Sequence, residues 1–335
     1  MSNGEATTID GAAEACIEQA RERGVELLLP REVPLGGPRA IPVHRVLPNK
    51  NRHFIGAWCF ADAFGPAHRD RDGSMDVPPH PHTGLQTVSW LVEGAVEHRD
   101  STGKKHTVRP GGVNIMTAGR GISHSEYQTD DSPILHGVQL WTVLPSHERK
   151  REPSFSGVDE VPAFELEPGV GAQVFAGTYC GHEATAPYFS ALVGVEVRIP
   201  AGRTVDLPLA PEFEHGVLAL NDGVTVAPGV PVQNGGMAYT PPGTDNISVT
   251  AQEDAVVILL GGEPFEEEVV MFWNFIGEDH DEVSGFREEW MREREHPDAR
   301  DRFGTVVDDE AQPLPSPRLP EVELLPRGRA RRRTT

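Results

Sequence analysis

Short apolar stretches rich in β-branched residues recur along most of the chain, and turn residues separate them. Such stretches lie at residues 43–46, 87–92, 137–144, 191–199, 216–220 and 255–260. Turn sequences between them are Ser101-Thr102-Gly103, Pro110-Gly111-Gly112, Asn221-Asp222-Gly223, Asn234-Gly235-Gly236 and Pro241-Pro242-Gly243. Short strands bounded by Gly, Pro, Asn and Asp are typical of antiparallel sheets. The pattern therefore predicts an all-β protein.

The two ends of the chain depart from this pattern. Apolar residues at helical spacing predict a short helix near the N-terminus, and Phe286 and Trp290, four residues apart, predict a C-terminal helix. The polar stretch 146–168 separates two β regions, and a Pro- and Arg-rich end predicts a disordered tail. The predicted limits are 1–25 for an N-terminal arm, 26–150 and 151–275 for the β domains, 276–312 for the helix region and 313–335 for the tail.

Composition narrows the class of protein. The 335 residues include 30 Lys and Arg against 51 Asp and Glu, which gives a net charge of −21 at pH 7. A protein with this much negative charge repels the phosphates of nucleic acids and of anionic membranes. We therefore expect no nucleic acid contact by the folded body and no membrane contact. No apolar run is long enough to cross a bilayer, and no signal peptide is evident. Cys16, Cys59 and Cys180 are too far apart for a disulfide framework, so we expect a cytoplasmic protein with free thiols.

Two short motifs carry the candidate chemistry. One is His80-Pro81-His82, and the other is His124-Ser125-Glu126. Residues two apart on a strand point to the same face, so each motif projects two ligand-type side chains in one direction. Brought together on adjacent strands, the motifs supply three imidazoles and one carboxylate. These donors suit Fe(II), Mn, Ni, Cu or Zn, and two positions of an octahedron stay open for substrate and dioxygen.

A plain structural interpretation competes with this one. A single HxH in a loop is weak evidence for a metal site, because two histidines also occur together at protein surfaces and in cores where hydrogen bonds satisfy them. The second pair has the same spacing and lies in Gly-rich sequence, which favours metal binding. No phosphate-binding loop, no GxSxG elbow and no GxGxxG fingerprint is present, so nucleotide hydrolysis, serine hydrolysis and dinucleotide redox chemistry lose their usual supports.

Longer stretches around both motifs resemble the pirin family. They are residues 30–39, 78–94, 98–100, 116–126 and 137–141, within a similarity that spans roughly 28–295. The resemblance implies a bicupin, that is, two antiparallel β-barrels of jelly-roll type with a C-terminal helix. In the family, HxH and HxE of the N-terminal cupin hold one iron. The ligands implied here are His80, His82, His124 and Glu126, with Fe(II) as the metal.

The resemblance assigns the two domains, and local residue patterns give the expectations for the other candidates. The domain at 26–150 becomes the metal-binding cupin, and 151–275 becomes a cupin without a metal site, in which we expect His215 to be a surface or turn residue. For Arg120 we favour a structural salt bridge over a role at the metal mouth. Trp90 and Trp141 are expected in the core. The polar segment 67–76 is expected to form a flexible lip over the pocket.

Two functional hypotheses remain open at this point. Pirins that resemble this chain are associated with quercetinase activity, which implies a mononuclear iron dioxygenase acting on a flavonol-like small aromatic. Glu126 would then serve as both ligand and base for the substrate hydroxyl. The alternative is a non-enzymatic regulator whose metal or redox state controls binding to a partner protein, for which the acidic surface favours a basic patch. The sequence identifies neither the physiological substrate or partner nor the native metal.

Overall fold

A computed structural model describes residues 11–34, 41–296, 298 and 301–330. Its N-terminal part contains helices α1 (Gly11–Glu22) and α2 (Arg69–Asp72) and strands β1 (Glu26–Leu28), β2 (Arg31–Pro34), β3 (Pro42–Leu47), β4 (Trp58–His68), β5 (Asp76–His82), β6 (Leu85–Glu93), β7 (Val96–Asp100), β8 (Lys105–Val108), β9 (Val113–Thr117), β10 (Ile122–Gln128) and β11 (Ile134–Val143). The apolar stretches of the sequence thus form strands, as predicted.

The C-terminal part continues the pattern and ends in a helix. It contains strands β12 (Ser154–Val158), β13 (Ala163–Glu167), β14 (Val170–Ala176), β15 (Thr178–Tyr179), β16 (His182–Glu183), β17 (Leu192–Ile199), β18 (Thr204–Pro208), β19 (Glu214–Ala219), β20 (Val224–Val226), β21 (Val230–Val232), β22 (Met237–Thr240), β23 (Asn246–Ala251), β24 (Ala255–Gly262), β25 (Val270–Phe272) and β26 (Phe275–Gly277), and helix α3 (His280–Glu295).

Each β domain consists of a large and a small antiparallel sheet. Among the described residues, the first domain has the seven-stranded order β12-β9-β6-β11-β4-β3-β2 and the four-stranded order β5-β10-β7-β8. The second has β1-β22-β19-β24-β17-β14-β13 and β18-β23-β20-β21. The predicted pair of antiparallel domains is confirmed, although their sheets stay open and do not close into barrels.

Alternation along the large sheet of the first domain separates two environments. Trp90 on β6 points toward the second domain, where its indole Nε1 donates to Glu196 at 2.7 Å and its ring stacks on Phe175. Ser89, the preceding residue, points the other way, into the first domain. The interface between the domains is therefore a continuous apolar core, while the interior of the first domain holds polar side chains.

The interior of the second domain is aliphatic. Buried Val, Leu, Ile and Ala side chains from both of its sheets fill it, among them Val174, Val195, Val217 and Leu259. Because packed aliphatic side chains leave little space, this interior is suited mainly to stability.

Two strands cross the predicted domain boundaries. Strand β1 pairs with β22 of the second domain, and β12 pairs with β9 of the first. Residues 26–28 and 154–158 therefore lie in the opposite domain to the one assigned from the sequence. Strand pairing is decided by long-range contacts, which local composition does not encode.

Helix α3 lies within the predicted helix region 276–312 and ends at Glu295, well before its second limit. Asp279 caps it by accepting from the backbone N–H of Glu282 at 2.9 Å. Its Trp290 is buried with Phe275 and Phe303 in a separate apolar cluster. The helix is thus attached to the body by aromatic packing.

The prediction of a disordered tail is wrong for its described part. Trp290 Nε1 donates to the Leu314 carbonyl at 2.9 Å, Leu314 N donates to the Pro79 carbonyl at 2.8 Å, and Arg327 exchanges two backbone bonds with Val269. Proline removes donors but leaves carbonyls, and the body supplies partners for them. Residues 331–335 of the basic end lie outside the described residues, as do residues 1–10 of the arm.

Cys16, Cys59 and Cys180 are free thiols, as predicted. Among the described helices, none is both long and apolar enough to cross a bilayer.

Candidate metal centre

The two motifs lie on neighbouring antiparallel strands of the small sheet. His124 of β10 is opposite His80 of β5, and Ile122 is opposite His82. A register shift between His124 and Glu126 marks an irregularity in this pairing. Strand β5 is an edge strand, which explains why it tolerates Pro78, Pro79 and Pro81 despite their missing N–H groups. The predicted meeting of the motifs is therefore built into one sheet.

Three imidazoles converge at this place. The ring centroids are 5.1 Å apart for His80 and His82, 4.3 Å for His80 and His124, and 4.9 Å for His82 and His124. One potential ligand nitrogen from each lies within 4.8 Å of the other two. All three side chains are buried, with His124 fully inaccessible.

Hydrogen bonds identify which nitrogens are free to bind a metal. His80 Nδ1 is 2.9 Å from the Pro78 carbonyl, which only accepts, so Nδ1 carries the proton and Nε2 keeps its lone pair. Buried His82 Nδ1 and His124 Nε2 have no hydrogen-bond partner among the described residues. Unpartnered buried nitrogens are costly unless a ligand satisfies them, so these three residues fit a bound metal ion.

The electrostatics of the cluster favour neutral imidazoles. Burial lowers the pKa of His80 to about 4. Burial, followed by repulsion from neighbouring imidazoles, lowers the pKa of His82 and of His124 well below the ordinary value. Metal ligation requires the unprotonated ring, which the protein thus maintains before any ion arrives.

Glu126 lies beside this cluster and shares His124 with it. One carboxylate oxygen of Glu126 and one ring nitrogen from each of His98 and His124 lie within 4.8 Å of one another. His80, His82 and His124 form a second such group, so His124 belongs to both. Ser89 Oγ donates to Glu126 Oε1 at 3.0 Å, and Gln139 lies 3.0 Å from the same hydroxyl. Burial raises the pKa of the Glu126 carboxyl. The structure therefore brings all four predicted residues into one region.

His98 is a member of this region that sequence reasoning missed. It lies on β7 directly opposite Glu126, and its ring centroid is 5.1 Å from that of His124. The available signal was the same two-residue spacing, His98-Arg99-Asp100, on the strand that flanks the HxE strand.

Aromatic side chains form one wall of the site. Trp141 meets His82 edge to face at 5.1 Å, and Phe60 stacks on Trp141 at 4.0 Å. Behind Phe60 lies the Arg45 guanidinium, 4.4 Å from the ring centroid, which forms two hydrogen bonds with buried Asp62. Trp90 is a core residue as predicted, whereas Trp141 belongs to the core and also borders the histidines.

Four further expectations have different outcomes. Arg120 pairs with Glu152 at 2.9 Å, which confirms the salt bridge. The segment 67–76 forms the end of β4, helix α2 and the start of β5, so it is an ordered connection and not a flexible lip. His215 is buried on β19, and burial lowers its pKa to about 4, so the prediction of a surface or turn residue is wrong. In the described part of the second domain, no group of three potential metal ligands occurs.

Comparison with known proteins agrees with this architecture. The pirin family model matches residues 40–142, and the model of the pirin C-terminal cupin domain matches residues 194–296. The putative quercetin 2,3-dioxygenase PA1205 of Pseudomonas aeruginosa is 37% identical over 96% of this chain and 98% of its own. Human pirin is 28% identical over 62% of this chain and 73% of its own.

A solved structure supports the same conclusion in three dimensions. The crystal structure of quercetin 2,3-dioxygenase from Acinetobacter baumannii superimposes with a TM-score of 0.83 at 34% identity, covering 91% of this chain and 98% of that one. The two cupin domains and the C-terminal helix predicted from the resemblance are confirmed. The chain is a bicupin and belongs to the pirin family.

Proposed function

We propose that this protein binds one metal ion per chain through His80, His82, His124 and Glu126. The observation that carries the proposal is the buried convergence of three neutral imidazoles, two of which present nitrogens without any hydrogen-bond partner. Glu126, which adjoins His124, supplies the fourth donor and a negative charge. Imidazole and carboxylate donors without thiolate suit Fe(II), Mn, Ni, Cu or Zn, and we take Fe(II) because the pirin resemblance implies iron.

We further propose that the metal-loaded protein is a dioxygenase of the quercetinase type acting on flavonol-like aromatics. The names of the Pseudomonas and Acinetobacter relatives support the reaction class. The Trp141 ring beside His82 supports an aromatic substrate, since it lies next to a proposed ligand and aromatic rings pack favourably on one another.

Each residue then has a definite task. Bound iron would supply Lewis-acid and redox chemistry at a substrate hydroxyl. Glu126 accepts the hydroxyl proton, and Ser89 holds its Oε1 so that the other carboxylate oxygen is available. The buried setting excludes bulk water and strengthens these polar interactions.

The free thiols support a cytoplasmic location.

Oxygen uptake tests the enzymatic proposal. Wild-type protein and Glu126→Gln are compared at matched iron loading with quercetin as the substrate. Loss of a general base lowers turnover by roughly 10²–10⁴-fold, so we expect a fall of that size with iron retained. Equal activity of the two proteins would remove Glu126 from the role of base.

The same experiment distinguishes the dioxygenase from the alternative of a non-enzymatic regulator. If iron-loaded wild type consumes no oxygen with any flavonol, the dioxygenase proposal fails, and a metal-responsive protein that binds a basic partner surface becomes the better account. Metal content measured on the same samples shows whether the binding site itself is correct.

A further inference from the structure

We propose that His98 and Asp100 are a positioning pair, which fixes the tautomer and the ring orientation of His124 so that His124 Nε2 is available to the metal. This inference rests on the proposed metal site. It assigns a task to two buried side chains that the donor set does not need.

A chain of hydrogen bonds connects the three residues. His98 Nε2 is 3.1 Å from Asp100 Oδ2, and His98 Nδ1 is 3.3 Å from His124 Nδ1. A carboxylate only accepts, so His98 Nε2 carries a proton, and in the neutral ring that the proposal assigns to His98 the Nδ1 then keeps its lone pair. His124 Nδ1 must then donate to it. The proton of His124 is thereby fixed on Nδ1, and its Nε2 is left as the unpartnered nitrogen described above.

Asp100 is anchored at the start of this chain. Its Oδ1 accepts from Thr102 N at 2.8 Å, Thr102 Oγ1 at 2.7 Å and Lys104 N at 3.2 Å. Burial alone would raise the pKa of Asp100, but the hydrogen bonds from His98 and Thr102 outweigh it and lower that pKa below the ordinary value. With three donors on Oδ1, only Oδ2 is left to face His98.

The imidazole of His98 is itself held in place. It stacks on Phe155 with a centroid distance of 4.4 Å and an angle of 16° between the rings. Phe155 belongs to β12, the strand that crosses over from the connection between the domains. A buried, stacked ring with both nitrogens occupied cannot turn without breaking these contacts, so it transmits the orientation of Asp100 to His124.

The contacts also favour positioning over direct ligation by His98. One ring nitrogen of His98 lies within 4.8 Å of potential ligand atoms of His124 and Glu126, which is close enough for His98 to be a fourth imidazole ligand. However, both of its nitrogens already have partners, whereas His82 and His124 each present one that has none. Partners of this kind commonly orient ligating histidines, and their loss typically costs 10–100-fold in metal affinity.

Asp100→Asn tests the proposal because it reverses the donor and acceptor roles along these hydrogen bonds with little change in side-chain size. The donors around Oδ1 require an acceptor, so the amide oxygen occupies that position and the amide nitrogen faces His98. His98 Nε2 would then accept, its Nδ1 would donate, and His124 would carry its proton on Nε2. We expect Fe(II) added anaerobically to bind 10–100-fold more weakly than to wild type. Glu214→Gln is the matched control, since Glu214 is also a fully buried carboxylate but lies on β19 of the second domain.

Nitrogen-15 NMR of histidine-labelled, metal-free protein reads the tautomers directly, with His124→Gln and His98→Gln used for assignment. We expect Nδ1–H on His124 in wild type and Nε2–H in Asp100→Asn. The proposal is overturned if wild-type His124 carries its proton on Nε2, if its tautomer is the same in both proteins, or if Glu214→Gln weakens Fe(II) binding equally. The wild-type spectrum suffices if the variant does not fold. Failure of wild type to bind Fe(II) would instead reject the proposed metal site.

Discussion

The burial of the three histidines predicts an unusual pH dependence of metal affinity. Protons compete with a metal for an exposed imidazole below its ordinary pKa of about 6.5. At pH 5.5 this competition costs roughly tenfold for each exposed imidazole, so three of them cost about 10³-fold. In this protein, burial lowers the pKa of His80 to about 4 and those of His82 and His124 well below the ordinary value. The imidazoles should therefore lose almost no affinity between pH 7.5 and 5.5.

The carboxyl of Glu126, unlike the three imidazoles, makes metal affinity depend on pH. Burial raises its pKa, so protons compete with a metal for Glu126 at a higher pH than they do for an exposed carboxyl. One competing proton costs at most about tenfold for each pH unit below that pKa. The structure thus predicts that at most one proton is released for each metal ion bound, and that Glu126→Gln removes even this dependence.

Calorimetric titration with Fe(II) under anaerobic conditions measures both quantities. Titrations at pH 7.5 and 5.5, each in two buffers of different ionisation enthalpy, give the affinity and the number of protons released. The matched Glu126→Gln titration isolates the carboxyl. Release of three protons per metal at pH 5.5, with an affinity loss near 10³-fold, would refute the claim that the metal-free cluster is neutral.

Three further predictions concern the fold that supports the site. Gly84→Ala, with φ +70° and a Cβ that would lie 2.4 Å from the Ile276 carbonyl oxygen, should lower the free energy of unfolding by about 2–4 kcal/mol. Gly103→Ala, with φ +86° and open space, should cost only about 1 kcal/mol in the same urea titration, and equal losses would contradict this. Deletion of 313–335 should lower Tm by roughly 5 °C, because helix α3 loses its hydrogen bonds to the carbonyls of Pro313, Leu314 and Pro317, whereas a solvated tail predicts no change. The lowered pKa of His215 means that the stability from its neutral ring is complete above pH 6.5 and is lost as pH falls toward 4. His215→Gln should remove this component, of roughly 3 kcal/mol over that interval, and identical pH profiles of stability would refute it.

The site was predictable because its information is local. Strand geometry gives side chains two residues apart a common face, so the spacing within His80-Pro81-His82 and within His124-Ser125-Glu126 is enough to indicate two donor pairs. The Gly- and Pro-rich turns likewise mark strand ends, since these residues supply backbone conformations that others avoid.

What the sequence did not reveal depends on contacts between distant segments. His215 has no local sign of burial, and only its strand pairing places it inside the second domain. The exchange of β1 and β12 between domains and the packing of 313–330 onto the body have the same origin. His98 and Asp100 had the right spacing on one strand, but the proposed role also depends on Phe155 and His124, which the fold brings to His98 from other strands.

The metal content of protein purified without added metal tests the central claim most directly. The account predicts about one metal ion per chain in wild type and in His215→Ala, a control that removes a buried histidine from the second domain. It predicts almost none in His82→Ala and His124→Ala with the fold retained, since two domains and their shared core hold the structure together. Elemental analysis alongside circular dichroism gives both values. Full metal retention in both ligand variants would contradict the account.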